Sequence, residues 1–410
     1  MIKLARPNDL LQQWDSRMIK YFSKMHSPSS QKGLTMVELM VALVLSSLLT
    51  LGVIQVFIAN KTSYRLQEAQ ARIQENARFA LTVISNELRK AGHLGCVTSS
   101  LTISTGSILN GAPATFRPWT GIEGWEADGT AFGEAPRLVS GVFDPTGTVT
   151  PTPPQPTPPA PAPSWTTADG ATLDTGTMSV ADSDIIRVWY AESSIGNITA
   201  LGSNPIFSAL DFDDGDVFVL NDCGVAEFIQ ACSGAPAPGA TAATFNATGC
   251  TTPGNLAGIP TTVRDNNSEM RKLHGTVFYV GKRGDDPDNP PALFWRELGT
   301  NAAAANAEEL VEGVESIQFM YGEDTDNDNV PNAYVPADQV ADWTQVISVK
   351  VSLLMRSVIT SIENNTDTTG DQNITTADQT INFNGVALAP TDGRLRRVFS
   401  TTIAFRNKLI

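Results

Sequence analysis

One stretch, "QKGLTMVELMVALVLSSLLTLGVIQVFIANK" (residues 31–61), limits what this chain can fold into more than any other. Between Leu39 and Ala59 no residue carries a charge. About 21 residues rising 1.5 Å each make a helix of roughly 30 Å, one hydrocarbon core thick. Glu38 stands at its lip, with only Leu34, Thr35, Met36 and Val37 between it and Gly33. An acidic side chain deep in a bilayer costs about 2.5–3.5 kcal/mol on insertion scales, so a carboxylate placed there needs a partner.

Charge orients the span. Residues 1–33 hold six Lys/Arg and two Asp, a balance of +4, while the whole chain carries −15, so everything after Gly33 carries −19. Positive charge ahead of an apolar helix places that end in the cytoplasm and exports the acidic remainder. The run is too long for the core of an ordinary secretory signal, and no A-x-A-like site follows it. One helix spans, and the C-terminal body lies outside. With a sequence pI of about 4.6 and no basic stripe, that body repels phosphate backbones, so nucleic acid is not expected as a direct partner. The 410 residues leave room for two or three domains or one elaborated one, and 41% hydrophobic residues supply a core beyond the membrane segment.

Past Ala59 the helix continues. "NKTSYRLQEAQARIQENARFALTVISNELRKAGHLGC" carries Leu66, Ala69, Ile73, Ala77, Leu81, Ile84 and Leu88 at spacings of three or four, one apolar stripe on a polar helix. No proline interrupts it, and Lys90 with Gly92 marks a cationic, glycine-closed end. The sum is a helix of roughly 55 residues, half in lipid and half packed on something soluble.

From Cys96 the texture changes to short β-like runs: "SDIIRVWYA" (183–191), "GDVFVLND" (215–222), "GTVFYVGKR" (275–283) and "ALFWREL" (292–298). The last two flank "GDDPDNPP" and read as a hairpin with a long polar loop. "QVISVKVSLLMRS" sets Ile347, Val349, Val351, Leu353 and Met355 on one face and Ser348, Lys350 and Ser352 on the other. "RVFSTTIAFRNK" does likewise with Phe399, Thr401, Ile403 and Phe405. Such alternation predicts an antiparallel sheet with one covered and one wet face, and the helix stripe is its natural cover. The fold class is therefore α+β. Proline-rich "TPTPPQPTPPAPAPSW" (150–165) reads as an extended spacer in a surface insertion. "CSGAPAPGATAATFNATGC" reads as a second excursion, tied off by its two cysteines.

Chemistry-bearing residues are sparse. Cys96, Cys223, Cys232 and Cys250 form no CxxC pair, and an even number in a membrane-crossing chain suits two disulfides in an oxidising compartment. Of the three connectivities open to four cysteines, Cys96–Cys223 with Cys232–Cys250 is the expected one. "DTDNDNVPN" (324–332) puts Asp324, Asp326, Asp328 and the Val330 carbonyl at alternate positions, like the first half of a calcium loop. Asn329 and Val335 stand where an EF-hand needs Gly and Glu, so the three carboxylates form either a solvated acidic turn or a Ca²⁺ site of another kind. No other cofactor is expected. "DFDDGD" and "GDDPDN" read as turns. The histidines are His26, His93 and His274, and no GxSxG, HExxH or Walker-type loop occurs, so no enzyme is expected.

"KGLTMVEL" resembles the class III signal of type IV prepilins: a basic residue, Gly33, an apolar first mature residue, Thr35, and Glu38 in the fifth mature place. "NELRKAGHLGC", "ELVEGVESIQFMYGEDTDNDNVPNAY" with "DWTQVISVKVSLLMRS", and the terminal "DGRLRRVFSTTIAFRN" are similar to the PilW family of type IV pilus minor pilins. The resemblance covers the first 96 residues and residues 308–410, with the middle lying between them. Leu34 departs from the Phe usual in the superfamily. The leader is long, and a start at Met25 would leave the short form "MHSPSSQKG".

The resemblance implies a division into a prepilin leader (1–33), the transmembrane half of the helix (34–59), its amphipathic periplasmic half (60–95), and a β-rich pilin body (96–410) with the Pro-rich insertion near 145–165. It also implies cleavage after Gly33 by a prepilin peptidase and N-methylation of Leu34. The new amine of a subunit would then meet Glu38 of a neighbour at the membrane edge, drawing subunits into register. The expected role is a structural minor pilin of the inner membrane, priming pilus assembly with other minor and major pilins and the assembly machinery, and sitting at or near the tip. Twitching motility, adhesion and DNA uptake would follow indirectly. Two alternatives share the same signal: a minor pseudopilin of type II secretion, and a tip adhesin acting through insertions in 97–260.

Overall fold

The computed structural model describes residues 33, 35–96, 118–126, 165–166, 172–173, 183–200, 206–207, 216–221, 226–230, 255, 268–281, 290–298, 308–358, 380–388 and 394–407. Helix α1 runs from Met36 to Leu88, 53 residues. The chain divides into two compact units, Met1–Ser63 and Tyr64–Ile410.

In the first unit every apolar side chain of α1 from Met36 to Ile58 faces outward, Leu49 at 71% exposure and Phe57 at 68%. So much exposed hydrocarbon on a helix long and apolar enough to cross a bilayer is what a membrane-spanning segment presents. Its hydroxyls are satisfied within the helix. Ser46 donates to Leu43 O, Ser47 to Val44 O and Thr50 to Ser46 O, at 2.7–3.0 Å. An apolar medium offers them nothing else.

In the second unit the same helix turns amphipathic. Ala69, Ile73, Ala77, Ala80, Ile84 and Leu88 are buried, and Leu66 and Leu81 are half-buried at the margins. Full burial of an Ile or Leu contributes about 1.5–3 kcal/mol, and the alanines let the helix lie close on its support. After Leu88 the chain turns through Gly92 at φ 72°, whose N–H donates to Trp189 O at 2.9 Å. Asn407 closes this end from far along the chain, its Nδ2 lying 3.3–3.4 Å from the carbonyls of Arg89, Lys90 and Ala91.

The strands, in chain order, are β1 (Ile122–Trp125), β2 (Trp165–Thr166), β3 (Thr172–Leu173), β4 (Ile185–Ala200), β5 (Ile206–Phe207), β6 (Val217–Asn221), β7 (Ala226–Gln230), β8 (Glu269–Gly281), β9 (Ala292–Leu298), β10 (Glu308–Glu312), β11 (Val314–Glu323), β12 (Ala333–Val335), β13 (Val346–Arg356), β14 (Ile381–Phe383), β15 (Val386–Leu388) and β16 (Arg396–Ala404). The larger sheet orders β1-β4-β8-β6-β7, with β5 beside β4 and β9 joining β8 to β10. The second sheet orders β12-β11-β13-β16. Every pairing is antiparallel, and the predicted hairpin is the β8–β9 pair.

The helix stripe and the inner faces of both sheets share one core, joining Ile73, Ile84 and Leu88 to Ile186, Phe278, Phe319, Val351 and Ile403. The sheets are also stitched by hydrogen bonds, Asp184 N–H to Ile317 O and Phe319 N–H to Asp184 Oδ2. At Gly124 an added Cβ would overlap the hydroxyl of buried Tyr321, so a side chain is excluded there.

The alternation read from 345–357 places Val349, Val351, Leu353 and Met355 in the core as expected, but the opposite face is not wet. Ser348 and Ser352 are buried, and Leu354 packs with Ile381, Phe383 and Leu388 of the β14–β15 hairpin. Beside this second cover lies a buried ion cluster. Arg396 Nε and Nη2 donate to Glu315 Oε2 and Oε1 at 2.6 and 2.9 Å, and Arg356 Nη1 stands 3.7 Å from Oε1. A similar pair in the larger sheet joins Arg187 to Glu123, with Trp125 and Trp189 rings 5.1 and 5.3 Å from the guanidinium.

Candidate functional site

The site with most chemistry per residue is the start of α1. Gly33 is exposed, Leu34 lies outside the described residues, and the helix begins at Met36. The sequence reading counts Leu34 into the first turn, one turn before Glu38. The observed start makes Thr35 the cap instead. Its hydroxyl accepts the Glu38 N–H at 3.3 Å, and Glu38 Oε2 accepts both the Thr35 N–H and the Thr35 hydroxyl at 3.3 Å. This is a reciprocal capping box, threonine at the cap and glutamate three residues on. The distances are long and the group is exposed, so it contributes about 1 kcal/mol at most.

The box gives Glu38 a second task, which the sequence reading did not assign to Thr35. The "TMVE" spacing carries that signal directly. A carboxylate in the first helical turn also faces the positive end of the helix dipole. The acid is thus aimed back toward the segment that carries Gly33, at the rim of an apolar cylinder.

The other expected site residues separate. Cys96 is disulfide-bonded, with its Sγ 3.1 Å from Asn221 Oδ1. Cys223, Cys232 and Cys250, and so the expected pairing, lie outside the described residues. Asp324, Asp326 and Asp328 do come together, offering carboxylate oxygens within 4.8 Å of one another, a group that could hold a metal ion. Asp324 is already engaged, for its two oxygens accept the N–H groups of Asp328 (3.2 Å) and Asn329 (2.8 Å). Burial alone would raise its pKa, yet those donors outweigh burial and hold it below 3.8. With one oxygen each, three carboxylates supply at most half of the roughly six to eight oxygens that Ca²⁺ takes.

The two histidines among the described residues fit a structural role. His274 Nδ1 lies 3.0 Å from Glu297 and 3.4 Å from Glu192, and its ring packs at a tilt against Tyr190, 4.8 Å between centroids. Burial depresses its pKa below 6.5 against the pull of those carboxylates. His93, at the end of the helix turn, is lowered by burial as well.

One apolar helix with an acid at its lip, followed by antiparallel sheets, suits a pilin-like, membrane-anchored protein. Comparison with protein families agrees: residues 28–54 match the prokaryotic N-terminal methylation motif. Residues 277–407 match type IV pilus-assembly protein W, a region reaching from β8 through β16. The two matches support a type IV pilus-associated, pilin-like protein whose C-terminal portion is similar to the PilW family. No curated protein and no solved structure matches it.

Proposed function

We propose that this chain is a minor pilin that primes type IV pilus assembly at the inner membrane and ends at or near the pilus tip. The observation that carries the reading is Glu38, an acid at the mouth of an exposed apolar helix within the methylation-motif match. A prepilin peptidase cuts after Gly33 on the cytoplasmic side and N-methylates Leu34. The resulting ammonium lies at the membrane edge, where a carboxylate without a cation is costly. A neighbouring subunit's Glu38 neutralises it, and the pairing sets the axial register of the two chains. The acidic body is periplasmic, and the work is structural rather than catalytic.

The test is mass spectrometry of the mature N-terminus combined with pilus counts in Glu38→Gln and Glu38→Ala strains. Glutamine preserves the capping box and removes the charge, whereas alanine removes both. If charge pairing drives assembly, both strains lose pili to a similar extent while processing at Gly33 continues. Normal piliation in the Glu38→Gln strain would refute the pairing. Loss of protein secretion with intact pili would instead favour the type II pseudopilin alternative.

A further inference from the structure

We propose that the outer edge of β16, with the groove beside it, receives an extended acidic segment of a neighbouring subunit as an added strand. The inference rests on the reading of this chain as a subunit that meets other pilins, and it names the chemistry of the contact.

Three observations converge on this edge. β16 pairs with β13 along its whole length, and no strand among the described residues pairs with its other side. Its N–H and C=O groups are therefore a template for another chain, and neither proline nor lysine interrupts "RRVFSTTIA". Second, a groove of about 400 Å³ runs between α1 and β16. Leu81 and Phe399 form its apolar floor, half-buried on the main core, and Thr401 and Asn86 border it. Third, the groove is cationic in a chain that is otherwise strongly acidic. Arg78 and Arg89 line it, both exposed, and neither has a carboxylate within ion-pair distance among the described residues. Arg397, also exposed, shares the strand face of Phe399 by alternation.

Arg78 and Arg89 sit about 16 Å apart along the helix, which an extended segment of about five residues covers. Such a segment satisfies all three features together. Its main chain pairs with β16, its apolar side chains meet Leu81 and Phe399, and its carboxylates form charge-assisted bonds with the arginines. A lipid headgroup could meet the arginines but would leave the strand edge unanswered.

The full chain in detergent micelles tests this with three labelled octapeptides of alternating Thr and Val: one with two Glu, one with two Lys, and the Glu peptide with a central Pro. Anisotropy reads binding, and hydrogen exchange reads the outward-facing amides of Ser400 and Thr402. The Glu peptide is expected to bind, the Lys and Pro peptides about tenfold or more weaker, with β16 exchange slowed only by the first. An Arg78→Glu/Arg89→Glu double variant, at an exposed helix position and in the exposed turn just after the helix, should melt as the parent does and lose about tenfold in affinity. Equal binding of the Glu and Lys peptides, unchanged β16 exchange, or no saturation at millimolar peptide overturns the proposal. So does arginine-dependent binding of glycerol phosphate in place of the peptide, which would assign the cations to a lipid. None of these readouts depends on pilus formation, so failure here leaves the Glu38 result standing, and the reverse also holds.

Discussion

Replacing Arg396 with methionine isolates the strongest polar contact in the second sheet. The Arg396 side chain is 1% exposed and that of Glu315 6%, and two bonds of 2.6 and 2.9 Å join them. Methionine keeps most of the volume but strands a desolvated carboxylate. Breaking a buried pair in this way costs about 3–5 kcal/mol. Arg356, 3.7 Å from Glu315, can move in and recover part of the loss, which places the expected cost near the lower bound, about 3 kcal/mol. At roughly 2–4 °C per kcal/mol for a sizeable domain, the melting point should fall by about 6–12 °C. Glu315→Met alone should do comparable damage by stranding Arg396. The double variant, which removes both charges, should melt within about 1 kcal/mol of the parent, since buried pairs replaced by apolar groups are often neutral. The assay is thermal unfolding of the full chain in detergent, followed by near-ultraviolet circular dichroism. Additive losses in the double variant would refute the argument, because they would mean that the two side chains stabilise the sheet independently.

Three further outcomes follow from the same geometry. Burial holds His274 and His93 below their usual pKa of 6.5, so the unfolded chain binds their protons first, and stability should fall as pH drops below about 6.5. His274→Gln should flatten part of that slope in melts between pH 5 and 8, and an unchanged slope would contradict it. Asp324 closes its loop through two amides while Asp326 and Asp328 are exposed, so Asp324→Ala should lower the melting point more than alanine at either neighbour. Calorimetry with millimolar Ca²⁺ shows whether the trio also takes a cation, and silence in both heat and melting ends that possibility. Peptide mapping without reductant should recover Cys96 linked to Cys223 and Cys232 linked to Cys250, and a different partner for Cys96 would overturn the pairing.

How far the sequence could be read depended on whether one face decided each element. The α1 stripe was legible because a helix needs a single apolar side, and only Ala80 was added to the expected set. The strands containing Val351 and Ile403 were legible through strict alternation. β11 was not, since a bulge between Val314 and Ser316 shifts the parity and puts buried residues on both sides of the break. Buried charges hid for another reason. Glu315 meets Arg396 across 81 positions and Glu123 meets Arg187 across 64, and nothing local distinguishes these from solvated residues. At the membrane lip the opposite held. Glu38 is plain in the sequence and Thr35 is plain only as part of the signal, because its capping role shows once the helix start is fixed at Met36.

The clasp of Asn407 on the carbonyls of Arg89, Lys90 and Ala91 sets a timetable for maturation. A chain synthesised N-terminus first makes its helix early, yet the turn that ends it waits for residues made more than 300 positions later. Phe405, wholly enclosed, arrives in the same final stretch. The whole chain must therefore be made before the globular part can lock, and a product truncated just short of its end would stay open, ready for a protease to clear.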